Sequence, residues 1–362
     1  MKKITSMILA LVFAVSLIGT ASAKTLKIQL TFPKTSYDGQ IVKMWTDRVT
    51  QLTRGELKFE LLSKGEVVGM KETLEAVDKG LVDGGAAWTH YWSNYHPAAM
   101  LFGSPVAGGG IGLSTKSWLA WYFDNGGKEL YDRLWNEMGM NVKGFVMASS
   151  GPEALGWFKE PIKNMDDFRK YRFRTPPGIP GQTYKDIGIA SVSLSGGDIL
   201  PALEKGTIDA AEWCCPKPDS VFGFQKVLKN YYLQGLHQNV VNGDIYINGD
   251  VYNSLTDHQK YAMEIASEAM ITRNITNRAV ENGKALIDLT ENHGVKLWDT
   301  PADYFTEYMN AAQATLKKNA ASNAFFKEVY EHMTAHAKIV VPFIAQMETS
   351  DASIGTAFAK QQ

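Results

Sequence analysis

The stretch DILPALEKGTIDAAEWCCPKPDS, residues 198–220, decides how the rest of the chain is interpreted. Its apolar spacing predicts a helix that ends at Gly206, because glycine tolerates the left-handed backbone that commonly follows a helix. Residues 207–211 then predict a short buried strand. That strand delivers Glu212 and Trp213 at its carboxyl end, where open α/β sheets bind ligands. An acid beside a large aromatic residue at this point is a candidate binding site.

The same pattern occurs earlier, in residues 78–88 (DKGLVDGGAAW). Both copies run acid, Lys, Gly, one residue, a β-branched residue, Asp and two small residues, and a tryptophan follows shortly afterwards. The repeat predicts two similar α/β lobes, each of which sends a strand end and an aromatic residue to a shared cleft. Chance similarity is the alternative, since helix-glycine-strand joints are common. The aromatic run after the first copy, with Trp88, His90 and Tyr91, walls either a ligand pocket or an ordinary core.

Length and composition are those of a globular protein with room for two domains. The chain has 362 residues, of which 45% are hydrophobic and 21% charged. Residues 1–23 predict an export signal: Lys2 and Lys3, an apolar run over 7–18, and small residues up to a cleavage site after Ala23. A retained membrane anchor is the competing interpretation, but the run is short for a span of about 20 residues. We therefore expect a periplasmic protein.

Charge and cysteine content argue against a nucleic-acid-binding protein and against a fold stabilised by disulfides. The formal net charge is −1 and no basic stripe occurs, so nothing favours nucleic acid as a partner. Only two cysteines are present, Cys214 and Cys215, so no framework of disulfides stabilises the fold. The adjacent pair forms either a strained vicinal disulfide or two small, partly buried thiols.

Periodicity along the chain predicts alternating strands and helices. Strands are expected over 25–32, 57–62, 142–148, 171–175, 190–193 and 244–248. A capping box at residues 256–259 opens a helix to about residue 289, on the order of 50 Å long, which would brace both lobes. Two separate helices, 323–337 and 341–358, are predicted to close the molecule.

A pair of arginines lies on the strand predicted over 171–175. Arg172 and Arg174 share one face of it. An arginine at a strand end that faces a cleft can hold a carboxylate through two parallel N–H···O bonds. A surface salt bridge is the ordinary alternative for either residue. Glu153 lies near the predicted crossover between the lobes and is a second candidate for the cleft.

Several segments resemble the extracytoplasmic solute-binding proteins of tripartite ATP-independent periplasmic (TRAP) transporters. They are TFPK (31–34), LEAV (74–77), GWF (156–158), the Arg174 strand and the long run GGDILPALEKGTIDAAEW (196–213). The similarity covers nearly all of the chain after the signal. It is closest to the branch that binds 2-oxo and 2-hydroxy monocarboxylates such as pyruvate and lactate.

The resemblance implies an α/β, two-lobed periplasmic-binding-protein fold that closes around its ligand, with a long helix spanning both lobes. It implies that Arg174 pairs with the substrate carboxylate. Glu212 and Trp213 match residues that line the cleft in the oxo-acid branch, where the acid and the following backbone carbonyl help to hold a cation. Na⁺ or Ca²⁺ would then bridge ligand and protein.

Two positions depart from that branch. Glu153 stands where its members have a metal-binding glutamine, and Gln238 aligns with a glutamate, so an acid and an amide exchange places. Glu153 and Glu212 would still offer oxygen ligands; alternatively, Glu153 pairs with a ligand hydroxyl or amine and no metal binds. The aromatic-acid branch is also open, because Cys214 and Cys215 replace the usual residues and Trp88, His90 and Tyr91 could wall a ring.

We therefore expect a periplasmic subunit, not an enzyme, that delivers a small carboxylate to the membrane permease of a TRAP transporter. A secreted hydrolase or lyase using Glu153 and Glu212 as acid and base is the rival, but no nucleophile elbow or His-rich metal motif occurs. A sensor that presents its loaded form to a receptor would share the cleft. An apolar C-terminal segment allows a homodimer through C-terminal helices.

The expected domain limits follow from these assignments. They are residues 1–23 for the signal, 24–147 with about 240–270 for the first lobe, 148–239 with about 271–335 for the second lobe and the spanning helix, and 336–362 for a C-terminal helix.

Overall fold

Two β-sheets organise the protein. The computed structural model describes residues 23–194 and 196–360, so the predicted signal, apart from Ala23, lies outside the described residues. The strands are β1 (Lys24–Leu30), β2 (Leu57–Leu62), β3 (Gly84–Trp88), β4 (Val142–Ser150), β5 (Gly156–Phe158), β6 (Arg172–Thr175), β7 (Ala190–Ser193), β8 (Ala210–Ala211), β9 (Asn230–Tyr232), β10 (Val241–Asn248) and β11 (Lys296–Trp298).

The first sheet has the strand order β2-β1-β3-β10-β4. β1 runs parallel to β2 and β3, whereas β10 runs antiparallel to its neighbours β3 and β4. Strands β1 and β10 are buried over most of their length, because helices cover both faces of this sheet.

The second sheet has the order β11-β9-β5-β8-β6-β7. β6 runs parallel to β7 and β8, and β5 is antiparallel to β8 and β9. The chain passes from the first sheet to the second between β4 and β5 and returns between β9 and β10. The architecture is therefore α/β and two-lobed, as predicted, while the exact domain limits stay a prediction.

Helices fill the connections and the outer faces. The α-helices are α1 (Tyr37–Leu52), α2 (Thr73–Asp78), α3 (Ala99–Gly103), α4 (Thr115–Asp124), α5 (Gly127–Glu137), α6 (Met165–Phe168), α7 (Ile179–Asp186), α8 (Gly196–Glu204), α9 (Pro216–Phe222), α10 (Gly249–Asn253), α11 (Asp257–Asn292), α12 (Ala302–Ser322) and α13 (Ala324–Ala359). Short 3₁₀ segments are Thr89–Asn94, Val106–Gly110 and Phe224–Lys226. Among the described residues, none of these helices combines the length and hydropathy needed to cross a bilayer.

The two helix-glycine-strand joints form as the repeat predicts. Gly80 and Gly206 both adopt the left-handed backbone, with φ of +69° and +68°. β8 is shorter than the strand expected over 207–211, because Thr207 is held in the turn that ends α8: its N–H donates to the Ala202 carbonyl at 2.9 Å. β3 and β8 each end beside the shared cleft.

α11 is the predicted long helix and it joins the lobes. It has 36 residues, and its capping box pairs Thr256 with Gln259. Met263 and Met270 pack in the core of the first lobe, whereas Leu289 packs in the core of the second. One rigid element therefore touches both cores.

The C-terminal segment corrects one expectation. The periodicity predicted two separate helices, 323–337 and 341–358, and the expected domain limits set off a C-terminal helix from residue 336. The structure instead has one continuous helix, α13. Pro342 lies inside it without ending it. Proline has no N–H to donate to the carbonyl four residues earlier in the helix. The residues around Pro342 are exposed, so water can hydrogen-bond to that carbonyl and the helix continues.

Candidate functional site

A cavity of about 80 Å³ lies between the lobes. Strand ends of both sheets and the crossing segments bring its wall together. The lining residues are Asp38, Trp88, His90, Tyr91, Glu153, Arg174, Pro176, Pro177, Trp213, Cys214, Pro218, Gln238, Val241 and Arg278. Every predicted substrate contact therefore lines one cavity, as do Glu153, Trp213 and Gln238 of the predicted cation ligands. The fourth predicted cation ligand, Glu212, is fully buried and is not among the lining residues.

Arg174 enters the cleft from β6. Strand register places it beside Ala211 of β8, so the residue that follows, Glu212, lies next to it. The guanidinium Nη1 donates to the Glu212 carboxylate at 2.5 Å and to the Glu212 carbonyl at 3.0 Å. Nε and Nη2 donate to the Leu194 carbonyl at 3.1 and 3.0 Å. The guanidinium is thus fixed in one orientation.

The two arginines of β6 differ in their surroundings. Arg172 is half exposed and forms a surface ion pair with Asp209, at 2.7 Å. Arg174 is only 5% exposed, and its guanidinium carbon lies 5.1 Å from the ring centre of Trp213. Arg172 therefore forms the ordinary surface salt bridge, whereas Arg174 is buried in the cleft.

Glu212 is a fully buried carboxylate with an unusual set of neighbours. Its Oε2 lies 3.5 Å from Nε2 of His237, whose Nδ1 is 3.1 Å from the Tyr184 hydroxyl. Burial alone would raise the pKa of Glu212, but Arg174 and His237 outweigh it and hold that pKa below its ordinary value. Glu212 is therefore ionised at neutral pH.

Glu153 has the opposite electrostatic character. It is buried, and its Oε2 has no hydrogen-bond partner among the described residues. Burial, followed by repulsion from Glu212, raises the pKa of Glu153 well above its ordinary value. The two carboxyls therefore carry one negative charge between them in the cleft, which matches the rule that close acids do not ionise together.

Three groups in the cleft could hold a cation. Glu153, Glu212 and His237 each offer a ligand atom, and these atoms lie within 4.8 Å of one another. Glu153 Oε2, Glu212 Oε2 and His237 Nε2 are buried without a hydrogen-bond partner among the described residues. A hard cation such as Na⁺ or Ca²⁺ takes oxygen ligands, so the two carboxylates fit that group better than the imidazole does.

Gln238 lines the same cavity as Arg174 and is hydrogen-bonded to Glu153. The Glu153 N–H donates to the Gln238 carbonyl at 3.1 Å, and the Gln238 side chain donates to Ser104 at 3.2 Å. The acid and the amide that the sequence predicts to have exchanged places therefore lie in contact and line one cavity.

The aromatic run after β3 divides between site and core. Trp88, His90 and Tyr91 line the cavity, whereas Trp92 is buried and packs edge-on against Tyr246 at 6.0 Å. Burial lowers the pKa of His90 to about 4, so its ring is neutral at pH 7. The pocket interpretation therefore suits the first three residues and the core interpretation suits the fourth.

Sequence reasoning missed several groups at the cleft. Arg278 reaches it from the middle of α11 and pairs with Asp38 of α1 at 3.0 Å. The face of the guanidinium lies over Tyr37 and Trp88, at 4.8 and 5.7 Å. His237 was also missed. The only sequence signal was its position next to Gln238; for Arg278 there was none, since an arginine in a long helix is ordinary.

A fixed guanidinium, paired acids and an aromatic wall enclose a small cavity between two lobes that one long helix joins. This combination defines a solute-binding protein, in which a cleft buries a small charged ligand.

Comparison with known proteins agrees with that class. Residues 30–323 match the family described as bacterial extracellular solute-binding protein, family 7. The chain is 33% identical over 298 residues to a monocarboxylate 2-oxoacid-binding periplasmic protein of Nostoc sp. strain PCC 7120, covering 80% of this chain and 78% of the relative. The chain therefore belongs to the family 7 extracellular solute-binding proteins, which confirms the resemblance to TRAP transporter components.

Solved structures show the same fold. A TRAP transporter solute-binding protein of Bordetella bronchiseptica RB50, a mixed-occupancy dimer with copurified calcium and picolinate, has a TM-score of 0.85 and 25% identity over 94% of this chain and 99% of its own. A TRAP protein of Pseudoalteromonas atlantica T6c with bound sodium and pyruvate has a TM-score of 0.83 at 20% identity, covering 92% and 99%.

Proposed function

We propose that this protein is the periplasmic subunit of a TRAP transporter that captures a small organic monocarboxylate and delivers it to the membrane permease. The ligand class is a 2-oxo or 2-hydroxy acid such as pyruvate or lactate. The observation that carries the proposal is the buried Arg174 beside paired acids in an interlobe cavity of about 80 Å³. That volume is far below the roughly 300–1,000 Å³ of drug-sized sites, which favours a small solute.

Arg174 would recognise the carboxylate. Glu212 and the Leu194 carbonyl already hold its guanidinium in place, so the positive charge is oriented before the ligand arrives. Of the five N–H groups of the guanidinium, one on Nη2 has no acceptor in the described residues and is available to a ligand oxygen. Closure of the lobes would exclude water and strengthen the charged pair.

Glu153 and Glu212 would hold a Na⁺ or Ca²⁺ ion against the ligand. A 2-oxo acid presents a carboxylate oxygen and a carbonyl oxygen on adjacent carbons, and both can reach one hard cation. A bound cation would supply positive charge to the ligand and to both acids. Glu153 would hold the cation as a carboxylate, because a carboxylic acid is a poor ligand. Trp213 and Gln238 complete the predicted ligand set.

Two alternatives rest on specific observations. An aromatic carboxylate would stack against Trp88, Tyr91 and Trp213, and the Bordetella relative holds picolinate, an aromatic acid. A hydrolase or lyase would use Glu153 as acid and Glu212 as base, which their opposite pKa shifts allow. The fixed guanidinium and the family favour binding without a chemical step.

We also propose that two copies pair through α13. Five large apolar side chains of α13, from residue 339 onward, are between 56% and 72% exposed: Ile339, Phe343, Met347, Ile354 and Phe358. Their spacing of four, four, seven and four residues places them on one face of the helix. A second copy presenting the same face would cover it, and the Bordetella relative is a dimer.

Mass spectrometry of the solute released from purified protein, with elemental analysis for calcium and sodium, tests the proposal. A monocarboxylate and a bound cation are expected. A neutral sugar or an amine as the retained solute would contradict it. Incubation of the protein with pyruvate, lactate and picolinate separates the enzyme alternative, since a binding protein returns each acid chemically unchanged.

A further inference from the structure

Two adjacent cysteines lie in the wall of the cleft, and carboxylate capture by Arg174 does not use them. Cys214 and Cys215 are each 8% exposed and are free thiols. Cys214 lines the cavity directly, next to Trp213. Two adjacent thiols can be oxidised to a disulfide.

The sulfurs are joined to both lobes through Arg278. Its Nη1 lies 3.5 Å from the Cys214 sulfur and 3.6 Å from the Cys215 sulfur, while its Nη2 donates to Asp38 at 3.0 Å. Asp38 belongs to the first lobe and the cysteines belong to the second. Arg278 therefore ties the lobes together, and the two sulfurs are its contacts on one side of the cleft.

The backbone of Cys214 supports the cation site. Its carbonyl accepts a hydrogen bond from the N–H of Ala154 at 2.8 Å, the residue after Glu153, and its own N–H donates to Asp219 at 3.0 Å. Asp219 in turn accepts hydrogen bonds from Trp157 and Tyr231. A rotation of the backbone at Cys214 would therefore move Glu153 relative to Glu212.

We propose that Cys214 and Cys215 are a dithiol–disulfide pair and that its oxidation weakens solute binding by the cleft, an inference that rests on the proposed function. One thiol attacks a sulfur of an external disulfide such as oxidised glutathione and forms a mixed disulfide. The second thiol then displaces the remaining glutathione. One S–S bond forms in the protein, two electrons pass to the reagent, and the two protons of the pair end on two molecules of glutathione thiol.

Oxidation acts on the site in two ways. A disulfide between neighbouring residues needs a backbone geometry that two free thiols do not, so the peptide joining them rotates and shifts the Ala154 contact beside Glu153. The same rotation moves both sulfurs away from their present positions, so Arg278 loses its contacts of 3.5 and 3.6 Å to the second lobe. Both changes disfavour the closed, ligand-bound arrangement. Reduction reverses them.

Calorimetry with pyruvate on matched reduced and oxidised samples tests this inference. Ligand-free protein is treated with oxidised glutathione, and intact-mass spectrometry verifies the loss of two hydrogens. We expect affinity for pyruvate to fall about tenfold or more on oxidation and to return with a reductant. The double variant Cys214→Ser with Cys215→Ser has no thiol that can react with oxidised glutathione, so its affinity should be the same after either treatment.

Two results would overturn the inference. One is verified oxidation with unchanged affinity, and the other is failure of the ligand-free protein to form the disulfide. These results are distinct from failure of the proposed function: a reduced protein that binds none of the tested carboxylates refutes carboxylate capture, whereas equal binding by both forms refutes only the redox control.

Discussion

Substitution Arg174→Ala is expected to remove most of the affinity for the carboxylate. Arg174 is 5% exposed, and its guanidinium is the cation nearest to Glu212. Truncating one partner of a buried, hydrogen-bonded charge pair costs about 2–5 kcal/mol of binding free energy. That loss corresponds to roughly 30-fold to 4,000-fold in the dissociation constant.

The same substitution also affects folding, and the design must separate the two effects. Arg174→Ala leaves the buried Glu212 carboxylate without its main partner, which costs about 3–5 kcal/mol of folding stability. The double substitution Arg174→Ala with Glu212→Gln removes that orphaned charge. We expect it to recover thermal stability, measured by circular dichroism, without recovering binding.

Arg172→Ala is the matched control on the same strand. Arg172 pairs with Asp209 at the surface, so its loss costs at most about 1 kcal/mol of stability. Its affinity for pyruvate, measured by calorimetry, should equal that of the wild type. A folded Arg174→Ala protein that binds pyruvate within a few-fold of the wild type would refute the assignment of Arg174.

Three further outcomes are expected. Glu153→Gln removes one of two carboxyls, so calcium affinity measured by calorimetry should fall about tenfold or more. In the wild type, calcium affinity should rise with pH because Glu153 releases its proton, and the variant should lose that rise. An unchanged pH profile of calcium affinity would contradict this. Burial raises the pKa of Asp244 to about 7 against 3.8 for the free residue, so the folded state holds the proton more tightly and its stability contribution falls as pH rises from about 4 to about 7. Between pH 5 and pH 7, Asp244→Asn should therefore lose less stability than the wild type, by on the order of 2 kcal/mol in denaturant titrations, and parallel profiles would exclude the assignment. Finally, Phe343→Glu should turn a dimer into a monomer in light scattering, whereas Lys338→Glu, on the same helix, should not; a Phe343→Glu protein that stays dimeric would rule out pairing through this face.

Much of the fold was predictable because its signals are local. The two helix-glycine-strand joints, the capping box at Thr256 and the alternation of β1 each depend on residues a few positions apart. The errors concern where elements end. The strand expected over 207–211 is shortened to β8 because the Thr207 N–H donates to the Ala202 carbonyl. α13 likewise continues through Pro342.

The site was predictable in part for a different reason. Arg174 and Glu212 follow from adjacent strands, whose ends meet at one edge of a sheet, and the family resemblance marked both. Arg278 and Asp38 come together only when α11 crosses both lobes, a contact over 240 residues of sequence. The difference in exposure between Arg174 and Arg172 also depends on how the second sheet packs. No local pattern carries that information.

Calorimetric titration of ligand-stripped wild-type protein with pyruvate tests the central claim most directly. The titration is run with calcium, with sodium, and with a chelator in potassium buffer. Binding of one pyruvate per chain is expected when calcium or sodium is present, with loss of affinity when both are withheld. Absence of binding for pyruvate, lactate and picolinate under all three conditions would show that the cleft around Arg174 does not recognise a small monocarboxylate.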